Sequence, residues 1–98
     1  MTGLENFKKS LLACRNKELL EKKLEALELS KLELIIMKRR YIDGLYIKQI
    51  PEFSGVSERW VKKVHARAIN KTLDGLQVAD LLELGIPLKV TSRSLFKA

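Results

Sequence analysis

The sequence predicts an all-α fold, and three observations carry that expectation. Leu, Ile, Val and Phe recur every three or four positions over much of the 98 residues. Only two Pro and five Gly interrupt them. A charged fraction of 32% beside 46% hydrophobic residues suits a helix-rich globule with a modest core, not a disordered chain. The elements then divide the chain into an N-terminal helical arm (1–29), a compact helix-turn-helix domain (30–75) and a C-terminal helix with a tail (76–98).

Residues 4–29 read as helix. Leu4, Phe7, Leu11 and Cys14 form one apolar stripe, and Leu20, Leu24 and Leu27 form another. The polar run Arg15-Asn16-Lys17-Glu18 lies between them, so this is either one long helix or two helices broken near Asn16. Two uses of this apolar surface stay open: packing within its own domain, or pairing with a second copy as a homodimer.

Ser30 is placed to cap the next helix, with Glu33 three residues on as its capping-box partner. Leu32, Ile35 and Ile36 make that helix's core face. Lys38-Arg39-Arg40 fall in its last turns, where they either complement the helix dipole or contact phosphate. Asp43-Gly44 ends it, with Gly44 free to take positive φ.

Tyr46 to Ser54 reads as a short helix with Ile47 and Ile50 facing inward. Pro51 kinks it unless it starts late, near Gln49. Phe53 packs inward, Gly55 allows a sharp turn, Val56 plugs the core and Ser57 caps the following helix. That helix, 58–73, carries the functional signal. With Val61 set at zero on a helical wheel, Val64, Ala68 and Thr72 lie within about 60° of it and form the buried stripe. Arg59, Lys63, Ala66 and Asn70 lie within about 40° of the opposite pole, flanked by Lys62 and Arg67. Trp60 stands at one boundary as a core-edge aromatic. His65 stands at the other as a surface or boundary residue. Gly75 breaks the helix. Leu76 to Leu84 suggests one more short helix, ended by Gly85 with Pro87 beyond. Residues 88–98 show no clear period.

Charge and composition narrow the function. The net charge of +7 is concentrated in residues 38–71, where nine Lys/Arg face three acids. A basic segment between near-neutral flanks points to an anionic partner, and double-stranded DNA fits best. The apolar stripe opposite Lys62, Lys63 and Arg67 is too narrow for membrane insertion, and no run is long enough to span a membrane. The single Cys14 offers no disulfide framework and no metal set, which suggests a cytoplasmic setting. With one His, no Gly-rich phosphate loop and no paired carboxylates, neither an enzyme nor a cofactor is expected. The candidate DNA-binding residues are Arg59, Lys62, Lys63, Ala66, Arg67 and Asn70, with Lys48 and Arg40 as supporting cations.

The run from Leu29-Ser30 through Arg39-Arg40-Tyr41-Ile42-Asp43-Gly44-Leu45 and Gly55-Val56-Ser57-Glu58-Arg59 to His65 resembles region four of bacterial sigma factors. It looks most like the small phage transcriptional activators of the ArpU and RinA type, over about residues 29 to 73. The resemblance implies that the helix after Gly55-Val56-Ser57 enters the major groove, with Arg59, Lys62, Lys63 and Arg67 at DNA. It also implies work beside RNA polymerase. No sigma region-two segment accompanies it. Pro51, Phe53-Ser54 and Trp60 depart from the family pattern. They motivate an alternative: an adaptor that contacts RNA polymerase or another phage protein without reading DNA. A phage protein that recruits DNA for packaging is a further alternative.

Overall fold

The computed structural model describes residues 3–51 and 55–86, and among them every regular element is helical. The order is α1 (Gly3–Ala13), α2 (Lys17–Ala26), α3 (Lys31–Tyr41), a 3-10 turn (Ile47–Gln49), α4 (Glu58–Gly75) and α5 (Val78–Leu84). None of these helices is long and apolar enough to cross a membrane.

The N-terminal segment is two helices. Asn16 starts the second by accepting the Leu19 amide on its side chain, 3.0 Å away. The Lys17 ammonium donates to the Leu11 and Leu12 carbonyls at 3.3 and 3.1 Å, closing the end of α1. These helices do not extend as an arm. Phe7, Leu11, Leu20 and Leu24 are fully buried in one core with Met37, Tyr41, Ala68, Ile69, Leu73, Leu81 and Leu84. Their apolar stripes are therefore used within the domain.

The capping box on α3 is present. Ser30 Oγ accepts the Glu33 amide at 3.2 Å, and Glu33 Oε1 accepts the Ser30 amide at 2.7 Å. α3 packs most extensively on α4. It serves two apolar clusters, giving Met37 and Tyr41 to the main core and Ile36 to a smaller one. The smaller cluster joins Ile36, Ile50, Val61 and Val64, with Leu32, Leu45, Ile47 and Val56 packed against it. It holds the 3-10 turn under the first turns of α4.

The expected helix from Tyr46 therefore opens as a 3-10 turn, and Ile50 is fully buried after it. Pro51 follows in helical conformation, where a missing amide is tolerated, and its carbonyl accepts the Gly55 amide at 3.1 Å. Phe53 and Ser54, expected before the turn, lie outside the described residues, as does the tail 88–98. Gly44 and Gly55 both have φ of 75°, the left-handed conformation that β-carbon sterics disfavour elsewhere. Gly75 keeps helical geometry as the last residue of α4, so it does not itself break the helix. A β-carbon there would sit 2.7 Å from Leu27 Cδ2, so a larger residue requires the end of that side chain to shift.

α5 is tied to the rest by polar contacts. Lys23 bridges to Asp80 at 2.6 Å and Glu83 at 3.4 Å. The Cys14 thiol donates to the Leu84 carbonyl at 3.6 Å. Cys14 is thus a small buried residue that joins the end of α1 to α5.

Candidate nucleic-acid interface

α4 begins at Ser57, whose Oγ accepts the Trp60 amide at 3.2 Å. From there the helix divides cleanly. Val61, Val64, His65, Ala68, Ile69, Thr72 and Leu73 are buried. Arg59, Lys62, Lys63, Ala66 and Arg67 are exposed, and Asn70 is half-buried. Asn70 Nδ2 donates to the Ala66 carbonyl at 2.9 Å, so this amide is engaged with its own helix. Lys48 is exposed on the 3-10 turn that packs beside α4.

The cations of the basic stretch fall into two groups. Lys38 reaches across to α2, 2.9 Å from Glu25 and 3.2 Å from Glu21. The Glu25 contact, then Glu21, raises the Lys38 ammonium pKa above its ordinary range. Arg39 pairs with Asp43 at 3.0 Å. The Arg40 guanidinium donates to the Leu45 carbonyl at 3.0 Å and lies 5.8 Å from the centres of the Tyr41 and Tyr46 rings. Lys71 pairs with buried Glu33 at 2.9 Å, and Lys62 with Glu58 at 3.2 Å. Arg59, Lys63, Arg67 and Lys48 have no acidic partner among the described residues. Positive charge left for an outside anion therefore collects on α4 and its neighbouring turn. Arg40 is held against the loop after α3 by the Leu45 carbonyl, a neutral acceptor that leaves its charge in place.

Glu33 is a functional residue of the fold more than of the surface. Burial opposes its ionisation, but the Ser30 amide, Lys71 and the Ser30 hydroxyl outweigh that and hold its carboxyl below the usual range. Its second oxygen, Oε2, is buried with no partner among the described residues.

Trp60 is 43% exposed, more than a core-edge aromatic requires. His65 corrects the sequence reading in the opposite sense. It is only 8% exposed, with Nε2 2.7 Å from the Tyr41 hydroxyl and its ring stacked on Tyr41 at 5.7 Å between centres. The signal was present in the helical wheel, because His65 lies about 40° from Val61, inside the buried stripe. Burial, reinforced by the charges of Lys8 and Arg40 and opposed by Glu5, pushes its imidazole down to about 4. Burial also raises the Tyr41 phenol. The pair fixes α4 on α3 from beneath, so the exposed face rests on a rigid contact.

A cleft of about 410 Å³ opens beside this pair, lined by Lys8, Lys9, Arg40, Tyr41 and His65 among others. Lys8 is paired with Glu5, and Arg40 is held in place by the neutral Leu45 carbonyl. The α4 face remains the strongest candidate. Comparison with protein-family models, curated proteins and solved structures found no match to this chain.

Proposed function

We propose that this chain is a DNA-binding transcriptional regulator of phage or mobile-element type, offering α4 to the major groove of a duplex. The observation that carries the reading is the partition of charge. On α3, Lys38 and Arg39 are paired with acids, whereas Arg59, Lys63 and Arg67 stand on the exposed side of α4 without acidic partners among the described residues. A solvated helix of ordinary composition interleaves acids with its bases. Past Glu58 this face has none until Asp74. The N-terminal end of the helix dipole adds positive potential at Arg59. The likeness of residues 29 to 73 to sigma region four supports the same orientation, with RNA polymerase as a further partner.

The mechanism is binding alone. Cations neutralise phosphates and release condensed counterions, while side chains near the start of α4 meet base edges. Fluorescence anisotropy with a labelled duplex of random sequence tests it. With four phosphate contacts, affinity falls on the order of 100-fold between about 50 and 200 mM salt. Absence of binding at about 50 mM salt contradicts the proposal and favours the second reading, an adaptor for RNA polymerase or another protein. The departures of Pro51, Phe53 and Trp60 from the sigma region-four pattern motivate that alternative.

A further inference from the structure

We propose that Trp60 is a base-reading residue whose indole packs against thymine methyl groups on one wall of the major groove. The inference rests on the DNA-binding reading of α4 and adds a sequence preference to it. Trp60 occupies the first turn of α4, where its amide is already satisfied by Ser57 Oγ. Its side chain is 43% exposed on a helix whose other large apolar residues, Val61, Val64, Ile69 and Leu73, are buried. No ring or hydrogen-bond partner for this indole lies among the described residues, and leaving it half in water forgoes burial that the core could have supplied.

Its neighbours identify the surface that covers it. On the helical wheel Trp60 lies about 20° from Arg67 and about 60° from Lys63, so the three share one side of α4. Lys63 and Arg67 are exposed, with no acidic partner among the described residues. A protein surface docking there would have to supply acids to both cations and an apolar socket between them. One strand of a duplex supplies the equivalent set by its ordinary chemistry: phosphates along the groove wall and, where the base is thymine, a C5-methyl projecting beside them. Trp60 flanks the pole of the exposed face, and it meets the groove wall instead of the floor. Intact duplex offers no base face at that position, so methyl contact, not stacking, is the interaction available.

The full chain is titrated against three labelled duplexes of about 30 base pairs: alternating dA·dT, alternating dA·dU and alternating dG·dC. The dU duplex removes only the methyl groups. The wild type is expected to bind dA·dT roughly three- to tenfold more tightly than dA·dU. Trp60→Ala is expected to bind these two alike, and Trp60→Phe to keep part of the preference. Trp60 is the single Trp in the chain, so its emission reports on the contact and is expected to change most with dA·dT. Circular dichroism checks that the variants are folded. Equal wild-type affinity for dA·dT and dA·dU overturns the inference while leaving DNA binding intact. Failure to bind any duplex at about 50 mM salt overturns the underlying reading as well, and assigns Trp60 to a protein partner.

Discussion

His65 and Tyr41 show how one buried hydrogen bond can set the stability of a small helical domain. The imidazole sits between α3 and α4 with Lys8 and Arg40 nearby, an environment that rejects the protonated form. Its folded-state pKa of about 4 lies below the ordinary value of 6.5. The unfolded chain therefore binds more protons between those values, and stability rises with pH across that window. Its contribution is full above about pH 6.5 and is lost as pH falls toward 4, by on the order of 3 kcal/mol. Glu33 and Asp80, both held below the ordinary carboxylate range, lose their contribution only at more acid pH. Urea melts at pH 7.0 and 5.0 are predicted to show a marked drop for the wild type and a much smaller one for His65→Leu. Tyr41→Phe removes the hydroxyl that partners Nε2 and is predicted to cost about 1–3 kcal/mol at pH 7. Unchanged denaturant midpoints for Tyr41→Phe would rule out a structural role for the pair.

At the scale of elements, local sequence decides where helices begin, and distant contacts decide how they are used. Ser30→Ala is predicted to lower stability by about 1 kcal/mol, read from the urea midpoint, because it strips one half of the α3 capping box. Arg40→Ala is predicted to cost a similar amount by releasing the Leu45 carbonyl, with no change in the salt dependence of DNA binding. The capping box, the positive φ at Gly44 and the start of α4 at Ser57 are all legible in the sequence, because each depends on residues within one or two turns. The fate of Arg40, Lys38 and Lys71 is not. Their partners are Leu45, the α2 acids Glu21 and Glu25, and Glu33, the last 38 residues away, so a linear reading counts these cations as surface charge. The packing of the N-terminal helices escapes a linear reading for the same reason. Their stripes look surplus to a tiny domain until Phe7 and Leu11 are seen against Met37, Tyr41 and Ile69. His65 is a different case, since its helical phase already placed it inward and only its polarity suggested otherwise.

For the whole molecule, the basic stretch 38–71 divides into cations paired with acids, such as Lys38, Arg39 and Lys71, and cations with no acidic partner among the described residues. Arg59, Lys63 and Arg67 belong to the second group, and their side chains contribute little to the core. On the proposed function, this α4 face neutralises DNA phosphates. The measurement that tests it most directly is the slope of log binding constant against log salt for a fixed duplex. It is taken for the wild type and for the combined Arg59→Ala, Lys63→Ala, Arg67→Ala variant, with thermal melts of both. The account predicts a wild-type slope near −4, a variant slope smaller in magnitude by about 2.7, and melting temperatures within a few degrees of each other. A variant that stays folded and keeps the wild-type slope would contradict it.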